Sequence, residues 1–286
     1  MKLSVFFDHL TQAAQQKNMP LDEVLKAARD CGIEGVEINL SSLKDASVPE
    51  ALEKAGLKIS CLFAFHDWAD TADYSSGIRQ IDMAMQYGAE AVMAVPGQLS
   101  GEEAGEMTRL MGNKRAFVEW LDASERVQRQ IEGVRKMIEY SAGRLPVFME
   151  DFDAATAPYA GINGLDYFLQ SCPGLRLAFD TGNFAYSDEC SLEAFGQLGQ
   201  YTAHVHCKDR GEEKATLAKQ LNHNRGLAPM PVGFGYIPVG RIVSKLLSGG
   251  YDGWLAIEHY GAPDQLGYMR KSAAYLSGLN YASKQS

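Results

Sequence analysis

The feature that most constrains this chain is a rhythm. Eight short runs rich in β-branched, aromatic and small apolar residues recur along it, with helical patterns between them. The runs are 3–7, 35–38, 58–63, 91–95, 146–150, 176–180, 202–206 and 254–258. Between them, apolar residues recur at i, i+3 and i+4. Leu21, Val24, Leu25 and Ala28 form one such stripe. Val127, Ile131, Val134, Met137 and Ile138 form another, and Ile242, Val243, Leu246 and Leu247 a third. Pro20 stands where a helix begins. Gly32, Gly56, Gly88 and Gly250 stand where helices end. Strands separated by helices pair in parallel, because the crossover needs a dozen or more residues. An open doubly wound sheet would carry a Gly-rich phosphate loop after its first strand. Here 3–7 runs into Asp8, His9 and Leu10, with no glycine nearby. The expected fold class is therefore α/β, one (β/α)8 TIM barrel forming a single domain over residues 1–286.

Two connections outrun the others. Residues 97–123 and 207–237 are expected as long connections on the face where the strands end, the first either a loop cover or an extra helix packed on the rim. That face carries the catalytic residues in barrels of this kind. The first loop holds Met107, Met111, Phe117 and Trp120, enough apolar surface for a cover. The chain carries 27 Lys and Arg against 36 Asp and Glu, a net charge of −9. That balance gives no general attraction to nucleic-acid phosphates. No apolar run approaches the roughly 18 residues of a membrane helix, and the opening segment reads as a strand rather than a leader. The cysteines are Cys31, Cys61, Cys172, Cys190 and Cys207, an odd number without a C-x-x-C pair. They read as reduced thiols of a cytoplasmic protein, not as a disulfide framework or a structural zinc site.

The chemistry points to the late strands. The run 146–150 ends in Glu150, 176–180 in Asp180, 202–206 in His206 and 254–258 in Glu258. In a barrel these four ends share one rim, and alternation puts Phe148 with Glu150, Ala178 with Asp180, and Ala256 with Glu258 on one face. Three carboxylates and an imidazole gathered at one point repel one another when empty. A single divalent cation resolves the repulsion. Such a donor set suits Mn²⁺ first, with Mg²⁺, Co²⁺ and Zn²⁺ as alternatives.

Five segments carry a resemblance. They are Phe148-Met149-Glu150, Phe179-Asp180-Thr181-Gly182-Asn183, His204-Val205-His206-Cys207-Lys208-Asp209, Gly233-Phe234-Gly235-Tyr236-Ile237-Pro238, and the stretch from Gly250 to Glu258. Together they resemble the xylose isomerase-like barrels, specifically the sugar phosphate isomerase/epimerase group. The first half of the chain matches in rhythm and in Gly35-Val36-Glu37-Ile38. The resemblance implies that Glu150, Asp180, His206 and Glu258 are the metal ligands, and that Glu150 and Glu258 are also the catalytic acid/base pair. It implies an isomerase or epimerase that takes a proton α to a carbonyl of a sugar or related polyol, through an enediolate the metal stabilises. The partner implied is a small-molecule carbohydrate, with no nucleic acid or membrane, and barrels of this type often form homodimers.

Two other activities share the pattern. An inosose-type dehydratase uses the same proton abstraction and then expels a β-hydroxyl. A barrel without activity would serve as a binding or scaffold subunit. A DNA-repair endonuclease of this fold would need further histidines. Asn183 stands where many family members have a histidine, and an amide cannot shuttle a proton. The candidate substrate-binding residues are His66, Asn183, Lys208 and Arg210, with Arg225 a further anion-binding candidate. Phe7, Phe65, Trp68 and Trp120 are candidates for an apolar platform. Glu37 is expected to face the barrel mouth, as a group that orients a polar neighbour or as a plain inward carboxylate. His204 is expected one layer below His206, His259 turned away from Glu258, and Asp151 turned away from Glu150 to cap the next helix.

Overall fold

Eight parallel strands close into a ring in the computed structural model, which describes residues 1–212 and 226–283. The strands are β1 (Lys2–Phe6), β2 (Gly35–Asn39), β3 (Lys58–Phe65), β4 (Val92–Val95), β5 (Val147–Met149), β6 (Arg176–Asp180), β7 (Thr202–Gly211) and β9 (Trp254–Glu258). They pair in sequence order, and β9 joins β7 to β1 to complete the barrel. Short β8 (Ala228–Met230) lies outside the ring, antiparallel to the end of β7.

Eleven α-helices are described, most of them crossing over between strands. They are α1 (Phe7–Lys17), α2 (Leu21–Asp30), α3 (Ser47–Ala55), α4 (Ser75–Gln86), α5 (Gly101–Leu110), α6 (Lys114–Ala123), α7 (Glu125–Ser141), α8 (Ile162–Ser171), α9 (Ser191–Leu198), α10 (Val239–Ser248) and α11 (Gln265–Ser283). The apolar stripes read from the sequence are their buried faces: Val24, Leu25 and Ala28 on α2, and Val127, Ile131, Val134 and Met137 on α7. Helix α3 stops at Gly56, whose φ of 68° is the left-handed conformation a side chain resists.

Two apolar layers follow from strand alternation. Leu3, Val5, Leu177, Phe179, Leu255 and Ile257 point outward into the main core under the helices. Phe6, Cys61, Phe63, Met93, Phe148 and Ala178 fill the inside of the barrel. Outside it, Trp68 is fully buried. A Cβ added to Gly133 of α7 would come within 2.3 Å of its indole, and one added to Gly77 of α4 within 2.9 Å. Only glycines let both helices close on that ring.

Neither long connection is a plain loop. Segment 97–123 is mostly helical, holding α5 and α6. The sequence signal for this was local. Ser100 and Glu103 form a reciprocal capping box, and the Asn113 side chain accepts from the Ala116 N–H to start α6. Segment 207–237 is not all loop either. Strand β7 runs on to Gly211, and Ala228–Met230 folds back against it, with Arg210 opposite Pro229. The carboxylate of Asp209 then ties down the following chain, accepting from the N–H groups of Gly233, Gly235 and Ile237. Arg225 lies outside the described residues. The five cysteines are unpaired. Among the described residues, no helix is long and apolar enough to cross a membrane.

Candidate active site

The barrel mouth receives the last inward-facing side chain of each strand. Glu150 follows β5 directly, and Asp180 closes β6. His206 stands opposite Asp180 in register on β7, and Glu258 closes β9 opposite Lys208. One donor atom from each of Glu150, Asp180, His206 and Glu258 lies within 4.8 Å of the others. The Nδ1 atom of His206 is 2.8 Å from Glu150 Oε2, 3.4 Å from Glu258 Oε2 and 3.9 Å from Asp180 Oδ2. All four side chains are buried.

Burial sets the electrostatics. It pushes the Glu258 carboxyl well above the usual range, and Asp180 and Glu150 push the same way against the pull of Lys208. Glu150 is raised too, again by burial, although His206 opposes it. Asp180 behaves differently. Burial would raise it, but Lys208 and His206 outweigh burial and hold it low. For His206, burial favours the neutral ring, yet Glu37 and Glu150 raise its pKa well above normal. Asp180 is thus biased toward the ionised form, and Glu150 and Glu258 toward the protonated one.

These residues fit a divalent cation. Asp180 Oδ2 and Glu258 Oε2 are buried and accept no hydrogen bond, an unfavourable state for carboxylate oxygens without a ligand. Three oxygen donors and one imidazole nitrogen match a hard or borderline cation such as Mn²⁺, Mg²⁺, Co²⁺ or Zn²⁺.

Lys208 enters the same group. Its Nζ contacts Glu258 Oε1, stands 3.1 Å from Asp180 Oδ2 and donates to Asn183 Oδ1 at 2.6 Å. The amide of Asn183 is spent on the protein: its Nδ2 donates to the Asp151 carbonyl at 2.8 Å, and its Oδ1 accepts from Lys208 and Arg210. It therefore orients the two cations beside the cluster. The Arg210 guanidinium donates to the Leu227 carbonyl and lies 3.7 Å from Asp153 Oδ2, with Tyr186 beneath it at 5.1 Å.

His66 is not in this group. Its Nδ1 meets Ser76 Oγ and its Nε2 meets Gln80 Oε1, each at 2.9 Å, and its ring stacks on Trp68 at 4.0 Å. Both nitrogens are satisfied among residues of β3–α4, outside the barrel. Of the candidate platform, Phe7 and Trp68 are core and Trp120 packs against the core, while Phe65 is 59% exposed. Phe65 sits edge-on to Phe63 and Phe152. Asp151 caps no helix; its Oδ1 accepts from the Asp180 N–H. His259 turns away from the cluster and stacks on His9 at 4.6 Å.

Glu37 has a definite place that the sequence left open. Its Oε2 lies 2.9 Å from His204 Nε2 and 3.0 Å from His206 Nε2. A signal existed: an inward-facing charge inside a barrel needs a buried partner, and His204 and His206 face the same interior. Asp153 near Lys208 carried no such signal, since it follows the end of β5 in irregular chain. A cavity of about 630 Å³ lies beside β8, against Met230, Phe234, Tyr236 and Tyr268. None of the four clustered residues lines it, so it is not the space in front of the cluster.

A closed parallel barrel whose last four ring strands bring three carboxylates and an imidazole together at its mouth defines a class of proteins. A family model described as a xylose isomerase-like TIM barrel matches residues 25–279, and the chain belongs to that family. No match to the sequence was found among curated proteins. Among solved structures, the chain is similar to the probable 3-DHS dehydratase AsbF of Bacillus anthracis, involved in petrobactin synthesis. That likeness has 15% identity and a TM-score of 0.70, and covers 97% of this chain and 99% of the other. It is also similar to a xylose isomerase-like TIM barrel protein from Mycobacterium smegmatis in complex with magnesium, at 18% identity and TM-score 0.65, over 92% and 88%. A third is the 3-keto-D-glucoside 4-epimerase YcjR from E. coli, at 14% identity and TM-score 0.62, over 97% and 99%. At these identities the likeness is one of fold.

Proposed function

We propose that this protein is a divalent-metal-dependent isomerase or epimerase acting on a sugar or related polyol. The observation that carries the reading is the convergence of Glu150, Asp180, His206 and Glu258 within 4.8 Å at the mouth of the barrel. These four would hold the cation, with Mn²⁺ the first choice for a set dominated by oxygen. When bound, the cation supplies a Lewis acid that polarises a carbonyl oxygen.

The protein's own residues do the proton work. Glu150 and Glu258 approach His206 Nδ1 at 2.8 and 3.4 Å, so both carboxyl groups belong to one cluster and can serve one substrate carbon. One carboxylate takes the proton α to the carbonyl and the other returns a proton. Return to the opposite face of the same carbon gives an epimer. Return to the neighbouring carbon converts an aldose to a ketose. Lys208 and His206 bias Asp180 toward the ionised form. Lys208 steadies Glu258 through its contact with Oε1.

A lyase reading has one observation in its favour. The Lys208 ammonium is 3% exposed and sits against Asp180 and Glu258, a buried cation in the cluster that would offset the charge developing on a departing β-hydroxyl. Loss of water with growth of an enone absorbance would identify that outcome.

The test is solvent deuterium exchange at the carbon α to the carbonyl, run over a panel of ketoses and keto-polyols. Chelation should abolish exchange and Mn²⁺ should restore it. Undiminished exchange in the chelated protein would reject the reading.

A further inference from the structure

We propose that Glu37 is a positioning residue for the cation centre, fixing which nitrogen of His206 faces the site. The inference rests on the proposed metal role of the four-residue cluster.

Glu37 comes from β2, three strands round the ring from β7, which carries His204 and His206. All three side chains are within 1% of full burial, so no bulk water competes for their polar atoms. The single oxygen Oε2 of Glu37 takes both imidazoles, at 2.9 Å from His204 Nε2 and 3.0 Å from His206 Nε2. An ionised carboxylate only accepts hydrogen bonds. Both Nε2 atoms must therefore carry hydrogen. For His206 this leaves Nδ1, which meets Glu150 Oε2 at 2.8 Å and faces Asp180 and Glu258, as the nitrogen whose proton a cation would displace to take the lone pair.

Packing holds the ring in that orientation. Phe6 lies edge-on to His206 at 5.1 Å, and the two histidine rings stand at 87° to each other, 5.4 Å apart. The other tautomer of His206 would point a lone pair at the Glu37 carboxylate, and a flipped ring would offer it only a C–H, both unfavourable in a buried space. Glu37, His204 and His206 also bring three donor atoms within 4.8 Å of one another. They are nevertheless a support and not a second cation site. Both nitrogens aimed at Glu37 are already committed as donors to one oxygen, so neither turns a lone pair toward a cation there. Carboxylate–imidazole support of this kind commonly governs metal affinity by about 10–100-fold.

The experiment compares the wild-type chain with Glu37→Gln, Glu37→Asp and Glu37→Leu. Two readouts are taken on each folded variant: Mn²⁺ affinity by titration calorimetry, and the histidine Nε2–H resonances by ¹H–¹⁵N NMR of the metal-free protein. Gln keeps an acceptor without charge, and neutral hydrogen bonds are roughly half as strong. Glu37→Gln should therefore bind Mn²⁺ about 10–100-fold more weakly and move the Nε2–H resonances of His204 and His206 upfield. Glu37→Leu should lose both signals. Glu37→Asp, with the charge kept on a shorter arm, should recover part of the affinity. If the wild type binds no Mn²⁺, the metal reading fails, and the Nε2–H signals alone decide whether Glu37 holds the ring. If the Gln and Leu variants do not fold, Glu37→Asp carries the comparison through a displaced Nε2–H resonance. Wild-type affinity in the folded variants, or unmoved Nε2–H resonances, would overturn the proposal.

Discussion

The two halves of the ring use their strand ends differently. From β5 onward, the strands bring Glu150, Asp180, His206 and Glu258 to the mouth. In the first half, β1 to β4 end in Phe6, Asn39, Phe65 and Val95. The late half gathers like charges and leaves Asp180 Oδ2 and Glu258 Oε2 buried without a hydrogen bond. Around β3 and β4 the polar atoms are largely paired. Gln80 donates to the Leu62 and Met93 carbonyls and accepts His66, while α4 and α7 close on Trp68 through Gly77 and Gly133. The difference teaches that stability and chemistry sit in separate arcs of one closed sheet. Glu37 is the exception, an early-half carboxylate reaching across to His204 and His206.

The largest effect expected from this division is in the late arc. Glu150→Gln removes one member of the proposed acid/base pair and should lower activity by about 10²–10⁴-fold. It also removes one of three mutually repelling carboxylates while keeping an acceptor toward His206, so urea unfolding of the metal-free protein should change by no more than about 1–3 kcal/mol. Rates and unfolding curves on the same preparation check both. A large loss of stability with activity retained would reverse the assignment of roles to the two arcs.

The opposite result is expected from Trp68→Ala. The indole is fully buried, and its loss leaves a cavity between α4 and α7. Such truncations cost about 3–5 kcal/mol. Activity per folded molecule should stay at the wild-type level, because no contact of Trp68 reaches the cluster. A fall in the rate constant without a fall in stability would show that the early arc shapes the site directly.

How much of this was readable beforehand differs between fold and site. The ring was legible because parallel strands buried on both faces write themselves as continuous apolar runs, and helices as 3.6-residue stripes. Each ring strand coincides with a predicted run to within a few residues, the longest overrun being β7 to Gly211. Between Val95 and α7 the sequence left a loop cover and a rim helix open, and the caps Ser100 and Asn113 are the local signals that favour the helices α5 and α6. At the site, alternation sufficed to bring Glu150, Asp180 and Glu258 together, since a side chain's face is fixed by parity along its strand. Asn183, Lys208 and Arg210 do lie beside the cluster, but the full commitment of the Asn183 amide to Lys208, Arg210 and Asp151 is set by chain segments far apart in sequence. No local pattern encodes that. His66 misled for the same reason: an imidazole among aromatics looks alike whether it faces a mouth or a helix, and Ser76 and Gln80 decide the matter from α4.

His66 then supplies the smallest effect and the sharpest check on the early arc. Gln80 spends its Nε2 on two backbone carbonyls, which fixes its Oε1 as the acceptor facing His66 Nε2. The ring is therefore neutral with hydrogen on Nε2, and Ser76 serves Nδ1. Burial pushes its pKa down to about 4 from the ordinary 6.5, outweighing the opposing pull of Gln80 and Asp67. Between those two values the unfolded chain binds a proton that the folded chain refuses. Stability from this group is thus complete above the unfolded pKa and falls as the pH drops toward the folded one, by at most about 3 kcal/mol. Burial lowers His9 and His204 in the same direction, so the wild-type curve alone does not isolate His66. The difference between wild type and His66→Gln does. Across the window from 6.5 down to about 4, the urea midpoint of the variant should decline less steeply than that of the wild type. Parallel curves would mean that the ring is charged in the folded protein, and that the early arc, like the late one, holds a buried ion.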